Sequence, residues 1–402
     1  MRYLVGGHTA LREPDLAAQL HHGLTTGRLR FHTTLDTATE AQIVVLCLPT
    51  PALFDGSADL TAILQCVATL RSTLRPGTVI IIKSTVPIGT HAHVTKTLAR
   101  QDIPVVSNPE FLREGHAVYD FLHPARIVLG SRDPAAAKLI ASLYAPIRTE
   151  TIITTPESAE LAKYAANAFL ATKLSFINSL ADLCDAVTAD ISDVAHILGA
   201  DPRIGAEHLR PGPGWGGPCL PKDIAALTHQ ARTAGLPMPL LDAALTANTQ
   251  HRLRIVDRLR AELGDLRGRR IAVLGLTFKT GTNDHRQSPA LHIAQHFLRH
   301  GTHITAHDPA TPPPDIDGLQ YTDDPYRATE GADATVVLTD WPEYQQLDWH
   351  RVATTMSGRI VFDTRNYLDL KTLRQAALRH IQLGRPAVRD ERNLQPTPLF
   401  QR

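Results

Sequence analysis

Short runs of β-branched and other apolar residues recur in the first third of the chain. They are IVVLCL from residue 43, TVIIIK from 78, IPVVS from 103 and RIVLG from 126. Between the first two lies LTAILQCVATLRSTL, residues 60–74, which has the apolar spacing of a helix. Strands that alternate with helices favour a parallel, doubly wound sheet.

A long Ala- and Leu-rich segment follows, PESAELAKYAANAFLATKLSFINSLADLCDAV. Thr155 can cap its start, Pro156 suits the first helical position, and Glu157 and Glu160 favour the first turns. Because no helix breaker occurs for some thirty residues, the pattern predicts one long, largely buried helix. Shorter helices and loops continue to about residue 266.

The alternation of strand and helix restarts with RRIAVLGLTF at residue 269. A helix in SPALHIAQHFLRHG and strands in ITAHDP, ATVVLT and RIVFD indicate a second, smaller α/β domain. We therefore predict two Rossmann-like, doubly wound α/β domains joined by a long central helix. The predicted regions are residues 1–150, a helical region 151–266, a second domain 267–385 and a loose tail 386–402.

Composition narrows the class of function. Hydrophobic residues make up 43% of the chain, the formal net charge is +1, and no basic stripe suggests a nucleic-acid partner. The apolar runs are too short to cross a bilayer, so no membrane partner is expected. Four scattered cysteines form no C-x-x-C pair, and no signal-peptide pattern begins the chain, which favours a reducing cytoplasm. The paired histidines lack cysteine or carboxylate companions, so no metal site is predicted.

The stretch RPGPGWGGPCLPKD, residues 210–223, combines four glycines with Cys219, Lys222 and Asp223. A dinucleotide phosphate loop should follow a strand, whereas this stretch lies between helices. The glycines are therefore interpreted as letting the backbone approach a bulky ligand. A helix start and Lys222 would both lower the pKa of the Cys219 thiol, which favours a nucleophile over a buried structural cysteine.

Further polar residues stand where parallel sheets bind ligands. Lys163 and Asn167 share one face of the long helix, and either an exposed or an inward orientation is open. Four segments each follow a predicted strand: KSTVPIGT (83–90), SNPEFLREG (107–115), GLTFKTGTNDHRQSP (275–289) and FDTRNYLD (362–369). In SNPEFLREG, a helix is expected to start near Glu110. Each segment alone is weak evidence for a binding site, and a surface role would be preferred for any one of them.

Taken together, these segments resemble the UDP-glucose/GDP-mannose dehydrogenase family, most closely the members that oxidise UDP-glucose. The resemblance rests on STVPIGT, SNPEFLREG, ELAKYAANAFLA, RPGPGWGGPCLPKD, GLTFKTGTNDHRQSPAL and FDTRN, and it extends from about residue 5 to 385. It implies a two-step oxidation of a sugar C6 alcohol to a carboxylate with two NAD⁺, through a thiohemiacetal and a thioester on Cys219.

The resemblance also assigns residues by function. Arg203 matches a residue that reaches the neighbouring subunit's site, which implies a homodimer. The implied catalytic residues are Cys219, Lys163, Asn167, Asp223, Thr85 and Glu110. The implied cofactor contacts are Thr50, Thr85, Glu114 and Arg286. The implied nucleotide-sugar contacts are Phe111, Leu112, Arg113, Lys163, Asn167, Arg203, Arg210, Gly214, Gly216, Gly217, Phe278, Lys279 and Arg365.

One departure from the family pattern is large. The family begins with a strand, a G-x-G-x-x-G turn, a helix and a second strand, whereas LVGGHTALREPDL resembles what comes after that unit. We therefore expect an incomplete N-terminal domain that lacks the first NAD-binding β-α-β and binds NAD poorly. Two alternatives to an active UDP-glucose enzyme stay open: a non-catalytic relative that only binds a nucleotide sugar, and a GDP-mannose dehydrogenase.

Overall fold

A computed structural model describes residues 2–385, so the tail predicted for residues 386–402 lies outside the described residues. The described chain forms two compact units. Unit 1 holds the residues up to Leu170 together with Pro218–Asp242 and Gly281–Asn283. Unit 2 holds Ala171–Gly217, Ala243–Thr280 and the described residues from Asp284 onward.

The first sheet belongs to unit 1 and contains all four strands predicted for this region. Its strand order is β1-β2-β3-β4-β5, and all neighbours are parallel except β3 and β4. The elements of this region are α1 (Arg2–Val5), α2 (Leu16–Thr25), β1 (Ile43–Leu46), α3 (Thr61–Leu70), β2 (Val79–Ile82), α4 (Thr90–Leu98), β3 (Val105–Ser107), α5 (Ala117–Leu122), β4 (Ile127–Gly130), α6 (Pro134–Leu143) and β5 (Thr151–Thr154).

The antiparallel step between β3 and β4 departs from the predicted all-parallel sheet. The connection of residues 108–126 leaves β3 at its carboxyl end and enters β4 from that same edge, without crossing the sheet. The two strands therefore run in opposite directions and pair only at Ser107 and Gly130. Apolar periodicity reports burial but not strand direction, so the sequence pattern did not contain this information.

Side chains alternate across the first sheet and bury both of its faces. Ile80 and Ile82 of β2 pack in one apolar cluster with residues of α3 and α4. Ile81 lies in a second cluster with Ile140 of α6. This two-sided burial explains why the strand reads as an uninterrupted apolar run.

Four helices follow in the chain: α7 (Pro156–Val187), α8 (Ile191–Ala200), α9 (Leu220–Thr233) and α10 (Pro239–Leu263). The long helix predicted from Pro156 is confirmed, with a length of 32 residues. Thr155 caps it as expected, because its hydroxyl accepts a hydrogen bond from the Ser158 amide at 3.2 Å.

The second sheet lies in unit 2 and is fully parallel, in the order β11-β10-β9-β6-β7-β8. The edge strands β8 and β11 are short and only partly buried, so their sequences LQY and RHIQ carry no strong strand pattern and were not predicted. The elements are β6 (Arg270–Leu274), α11 (Pro289–Arg299), β7 (His303–His307), β8 (Leu319–Tyr321), α12 (Pro325–Thr329), β9 (Ala334–Val337), α13 (Pro342–Gln345), α14 (Trp349–Thr355), β10 (Ile360–Asp363), α15 (Leu370–Gln375) and β11 (Arg379–Gln382).

Within residues 2–385, every helix is too short or too polar to pass through a lipid bilayer. The same residues contain no group of three or more His, Cys, Asp or Glu side chains arranged to bind a metal ion.

Asp308, directly after β7, holds the turn that follows β6. Its carboxylate is buried and accepts hydrogen bonds from the amides of Leu276 at 2.7 Å and Thr277 at 2.9 Å. The second carboxylate oxygen accepts from the Ala310 amide at 2.9 Å. One side chain therefore satisfies three amides where two strands end.

We expect Asp308→Ala to lower the free energy of unfolding by about 3–5 kcal/mol, because it leaves buried amide donors without acceptors. Urea unfolding followed by circular dichroism measures this loss, and Asp315→Ala, at an exposed site, serves as the matched control. A loss below about 1 kcal/mol for Asp308→Ala would show that the turn is held by other contacts.

Candidate active site

Cys219 lies at the N-terminal end of α9, where the glycine-rich stretch ends, as the sequence predicted. The residue is exposed to solvent and forms no disulfide. It is the N-cap residue, yet its side chain makes no capping hydrogen bond. The thiol is therefore accessible and not committed to a structural bond with the helix.

Asp223 stands in the first turn of α9 and is fully buried. Its Oδ2 accepts a hydrogen bond from Asn167 Nδ2 at 2.5 Å, and its Oδ1 accepts one from Lys222 Nζ at 2.7 Å. Thus three residues that the sequence singled out separately form one network in unit 1.

Lys163 and Asn167 both point inward from α7, with only 4% and 8% of their surface exposed. The Lys163 ammonium lies 3.4 Å from Glu110 Oε1 and 5.4 Å from the centre of the Phe111 ring. Of the two orientations left open by the sequence, the inward one is therefore observed. A buried ammonium needs such partners because desolvation of an unpaired charge is costly.

The charges around Cys219 oppose one another. Partial burial of the sulfur and the Asp223 carboxylate raise the pKa of the thiol above its ordinary value of 9.0, whereas Lys163 and Lys222 act to lower it. The expected lowering of this pKa is therefore wrong. The sequence showed Lys222 and the helix start, but it did not show that burial of the sulfur, together with the charge of Asp223, outweighs them.

The segment of residues 108–116 remains a loop and does not begin a helix at Glu110 as expected. Glu110 Oε2 accepts a hydrogen bond from the Leu112 amide at 2.6 Å. Arg113 pairs with Asp120 through two hydrogen bonds of 3.0 and 2.7 Å. Helix α5 starts only at Ala117, where the chain leaves this loop.

Glu13 was missed by the sequence reasoning, yet it anchors the same loop. Its two carboxylate oxygens accept hydrogen bonds from the amides of Gly115 at 2.7 Å and Ala117 at 2.8 Å. On the same loop, Glu114 accepts a hydrogen bond from the Thr282 hydroxyl. No local pattern relates Glu13 to a partner some hundred residues away, so a sequence signal was not available.

Thr50 and Thr85 come together at the carboxyl ends of β1 and β2. The Thr50 hydroxyl donates to the Thr85 carbonyl at 2.7 Å, and both residues belong to unit 1. Nearby, the buried Glu160 carboxylate of α7 accepts from the amides of Gly89 and His91 at the start of α4. Glu160 thereby fixes the helix that follows the Thr85 segment.

A cavity of about 260 Å³ opens beside Glu110 and Phe111 in unit 1. Lys83 lines it and donates to Asn108 Oδ1 at 3.2 Å, and desolvation lowers the pKa of this lysine to about 8. Arg126 lies 3.6 Å above the centre of the Phe111 ring. The cavity therefore combines an aromatic face and cationic groups with the carboxylates of Glu110 and Asp120.

The glycine-rich stretch up to Gly217 belongs to unit 2, and its glycines meet protein atoms. A Cβ on Gly216 would collide with the backbone oxygen of Gln287, and one on Gly217 would lie 2.7 Å from the Phe278 ring. The interpretation that these glycines make room for a bulky ligand is therefore wrong at both positions, because neighbouring protein groups occupy that space. Gly212, Gly214 and Gly217 do have the G-x-G-x-x-G spacing, but the stretch follows α8 and precedes α9, with no strand before it.

Other expected contacts of unit 2 lie in loops. Arg365 follows β10 and donates from Nε to the Leu338 carbonyl at 3.0 Å. Arg286 pairs with Asp284, and Arg203 pairs with Asp201, both through bidentate contacts. Gly214, Lys279 and Phe278 also lie in this unit, as does the exposed Arg210. Arg286 is thus in unit 2, whereas the other expected cofactor contacts, Thr50, Thr85 and Glu114, are in unit 1.

Three domain descriptions of one family match consecutive parts of the chain. The UDP-glucose/GDP-mannose dehydrogenase family, NAD binding domain, matches residues 2–148. The central domain of that family matches residues 157–250, and its UDP binding domain matches residues 272–370.

Similar proteins extend over nearly the whole chain. UDP-glucose 6-dehydrogenase TuaD of Bacillus subtilis (strain 168) is 41% identical, over 97% of this chain and 87% of that protein. UDP-glucose 6-dehydrogenase of Rhizobium meliloti (strain 1021) is 39% identical, over 94% and 90%. The structure of a UDP-glucose dehydrogenase from Pyrobaculum islandicum superimposes with a TM-score of 0.86 at 33% identity, over 95% of this chain and 88% of that one.

These matches correct one expectation. The NAD binding domain description matches from residue 2, so the expectation that the chain lacks the N-terminal NAD-binding segment is wrong. That expectation took LVGGHTALREPDL as the continuation of a missing unit, whereas the match includes these residues in the domain itself.

The opposing charges around Cys219 make its reactivity testable without any substrate. Asp223→Asn removes the carboxylate that raises the thiol pKa, so the thiolate fraction at neutral pH should rise and alkylation should become about three- to tenfold faster. Lys222→Gln should act in the opposite direction. Iodoacetamide labelling of Cys219 as a function of pH, read by mass spectrometry, measures both shifts.

Asp193→Asn, at an exposed position of α8, is the matched control and should leave the labelling profile unchanged. A profile that moves to higher pH in Asp223→Asn would contradict the assigned direction.

Proposed function

This chain belongs to the UDP-glucose/GDP-mannose dehydrogenase family, and on that basis we propose that it oxidises UDP-glucose to UDP-glucuronate with two NAD⁺. The relatives named above as UDP-glucose 6-dehydrogenases support this choice of sugar nucleotide. The observation that carries the proposal is the accessible Cys219 thiol beside the network of Asp223, Asn167 and Lys222, with the charge of Lys163 also acting on the sulfur.

In the proposed reaction, Cys219 holds the substrate between two oxidations. The C6 alcohol first loses a hydride and a proton to give an aldehyde, and the Cys219 thiolate adds to it as a thiohemiacetal. A second hydride loss gives a thioester, which water hydrolyses to the carboxylate while the thiol is restored. When bound, NAD⁺ supplies the hydride acceptor for each oxidation. The balance is one UDP-glucose, one water and two NAD⁺ giving UDP-glucuronate, two NADH and three protons.

Buried polar groups near the thiol have matching roles in this proposal. The Lys163 ammonium stabilises the oxyanion that forms when sulfur attacks the aldehyde, and Asn167 donates a hydrogen bond to the same oxygen. Asp223 orients Asn167 and Lys222, consistent with its two hydrogen bonds. Glu110 and Thr85 handle water and protons in thioester hydrolysis.

Residues of unit 1 fit the NAD cofactor of this family. Thr50 and Thr85 present hydroxyl groups at the carboxyl ends of parallel strands, the edge at which such sheets bind ligands. Glu114, held by the Thr282 hydroxyl, offers a carboxylate to a ribose or amide group. We assign these three residues, with Arg286, to cofactor binding.

The nucleotide sugar is assigned to the residues that the sequence singled out for it. Cationic and aromatic groups suit a diphosphate and a sugar or base, respectively. The assigned residues are Phe111, Leu112, Arg113, Lys163, Asn167, Arg203, Arg210, Gly214, Phe278, Lys279 and Arg365. Gly216 and Gly217 are not retained, because protein groups fill the space beside them.

A homodimer completes the proposal, and the outer side of α7 supports it. Phe169, Phe176 and Leu183 are spaced seven residues apart and are 65%, 54% and 54% exposed. This spacing places them on one side of the helix, and a second copy of the chain would cover them.

Four cysteines without disulfides agree with a cytoplasmic location.

The proposed activity predicts two NADH for each UDP-glucose consumed, measured by absorbance at the NADH band. Cys219→Ala should lower kcat by roughly a hundredfold or more, because the covalent step is lost. Lys163→Ala should lower it by about 10²-fold or more through loss of oxyanion stabilisation.

Cys66→Ala, which removes a thiol on α3, is the matched control for Cys219→Ala and should retain activity. Activity that survives in Cys219→Ala would refute the nucleophile, and turnover of GDP-mannose in preference to UDP-glucose would refute the substrate.

The dimer is tested by placing charge on the exposed side of α7. Phe176→Asp should convert a dimer to a monomer, because it removes about 1.5–3 kcal/mol of apolar burial per subunit and adds a desolvation cost. Size-exclusion chromatography with light scattering reports the mass. Leu139→Asp, at an exposed leucine of α6, should leave the dimer intact, and a monomeric parent protein would rule out the dimer.

A further inference from the structure

Side chains of two helices hold the backbone of the glycine loop, defined here as residues 210–217. On α7, Asn178 Oδ1 accepts a hydrogen bond from the Gly212 amide at 3.0 Å. On α10, Asn248 accepts from the Trp215 amide and donates to the Trp215 carbonyl, each at 3.0 Å. All these residues belong to unit 2.

His251 completes this set and has no role in the proposed chemistry. Its side chain is 1% exposed, and its Nε2 lies 2.8 Å from the Gly212 carbonyl oxygen. Its Nδ1 lies 2.8 Å from Asp182 Oδ1. The imidazole therefore bridges a carboxylate of α7 and the backbone of the glycine loop.

Both partners of His251 present oxygen atoms to the ring. The second oxygen of Asp182 accepts a hydrogen bond from Arg254 Nη1 at 2.6 Å. The Gly212 carbonyl oxygen is an acceptor with no proton to give. The imidazole therefore holds the loop through its contact with this carbonyl, while Asp182 holds the other side of the ring.

Other side chains also hold the loop. Asn178 and Asn248 do so through their amides, and Arg252, whose pKa burial lowers to about 10, donates to the Trp215 carbonyl. Among the contacts described here, His251 is the side chain that joins the loop to a carboxylate of α7.

We propose that Asp182 and His251 are positioning residues, a hydrogen-bonded pair that fixes the glycine loop for nucleotide binding by unit 2. Without the imidazole, the Gly212 carbonyl loses its side-chain partner and this end of the loop is released. The part concerning nucleotide rests on the proposed function, whereas the part concerning the loop does not.

Loop order can be measured without any ligand by hydrogen exchange of the peptide spanning residues 210–217. His251→Ala should accelerate exchange of this peptide by roughly three- to tenfold, because a buried hydrogen bond to the loop is lost. His196→Ala, at an exposed histidine of α8, is the matched control and should have no effect. Unchanged exchange in His251→Ala would overturn the proposal.

A neutral replacement of the pair separates positioning from simple packing. In the double variant Asp182→Asn with His251→Gln, the Gln amide can donate to the Gly212 carbonyl and accept from Asn Nδ2, so every group has a partner. The double variant should restore loop protection, whereas His251→Gln alone, with its oxygen facing a carboxylate or a carbonyl, should not. Equal exchange in the single and double variants would show that the pair is not coupled.

The part concerning nucleotide is tested with UDP as the probe, by calorimetry on the parent protein, His251→Ala and the double variant. His251→Ala should raise the Kd for UDP by about three- to tenfold, because the loop loses a buried hydrogen bond, and the double variant should restore it. Equal Kd values in the parent protein and His251→Ala would refute this part. If the parent protein binds no UDP while His251→Ala still loosens the loop, the proposed function fails and the positioning role stands.

Discussion

The need to satisfy polar side chains on a buried helix face shapes both units of this protein. Helix α7 is rich in Ala and Leu, yet its inner face carries polar residues at intervals of three or four positions in each half. Each such group must find a partner, since an unpaired polar group in the interior costs several kcal/mol. In the first half of the helix those partners are the active-site segments: Glu160 holds the start of α4, Lys163 meets Glu110, and Asn167 meets Asp223.

The second half of α7 repeats the principle with different partners. Ser175 accepts a hydrogen bond from the Trp215 indole at 2.8 Å, Asn178 holds the Gly212 amide, and Asp182 holds His251. The glycine loop is thus fixed by side chains, although a loop of this composition would have little rigidity of its own. A helix of good intrinsic propensity can carry these groups in register because its own backbone hydrogen bonds need no help from them.

Local sequence patterns were sufficient for the fold where a side chain's surroundings are implied by its neighbours in the chain. The apolar runs of β1 to β4 and the breaker-free stretch of α7 predicted those elements, and Thr155 predicted the cap. Local patterns could not predict the direction of β4, since the side chains of a strand are buried equally in either direction. Spacing put Lys163 and Asn167 on one face, but whether that face is buried depends on Glu110 and Asp223, which no local pattern connects to it.

Two errors about the site have the same origin. The glycines at 216 and 217 were read as space for a ligand, yet Gln287 and Phe278, residues distant in the chain, occupy that space. The thiol pKa was judged from Lys222 and the helix start alone. In both cases the missing information was what the fold places around a residue: groups distant in the chain beside the glycines, and burial of the sulfur at Cys219.

The charges around Cys219 also belong to side chains that hold other polar groups in place. Asp223 raises the thiol pKa, but the same carboxylate holds both Asn167 and Lys222, so it cannot be removed without releasing them. Lys163 lies 3.4 Å from Glu110, longer than the 2.7–2.9 Å of a strong charge-assisted hydrogen bond. The Lys163 ammonium is therefore desolvated, but its pairing with Glu110 is weak. An anion that forms beside it can be stabilised by its positive charge without breaking a tight ion pair. In the proposed reaction that anion is the oxygen of the thiohemiacetal, so a high thiol pKa in the free protein is compatible with efficient attack once the aldehyde is present.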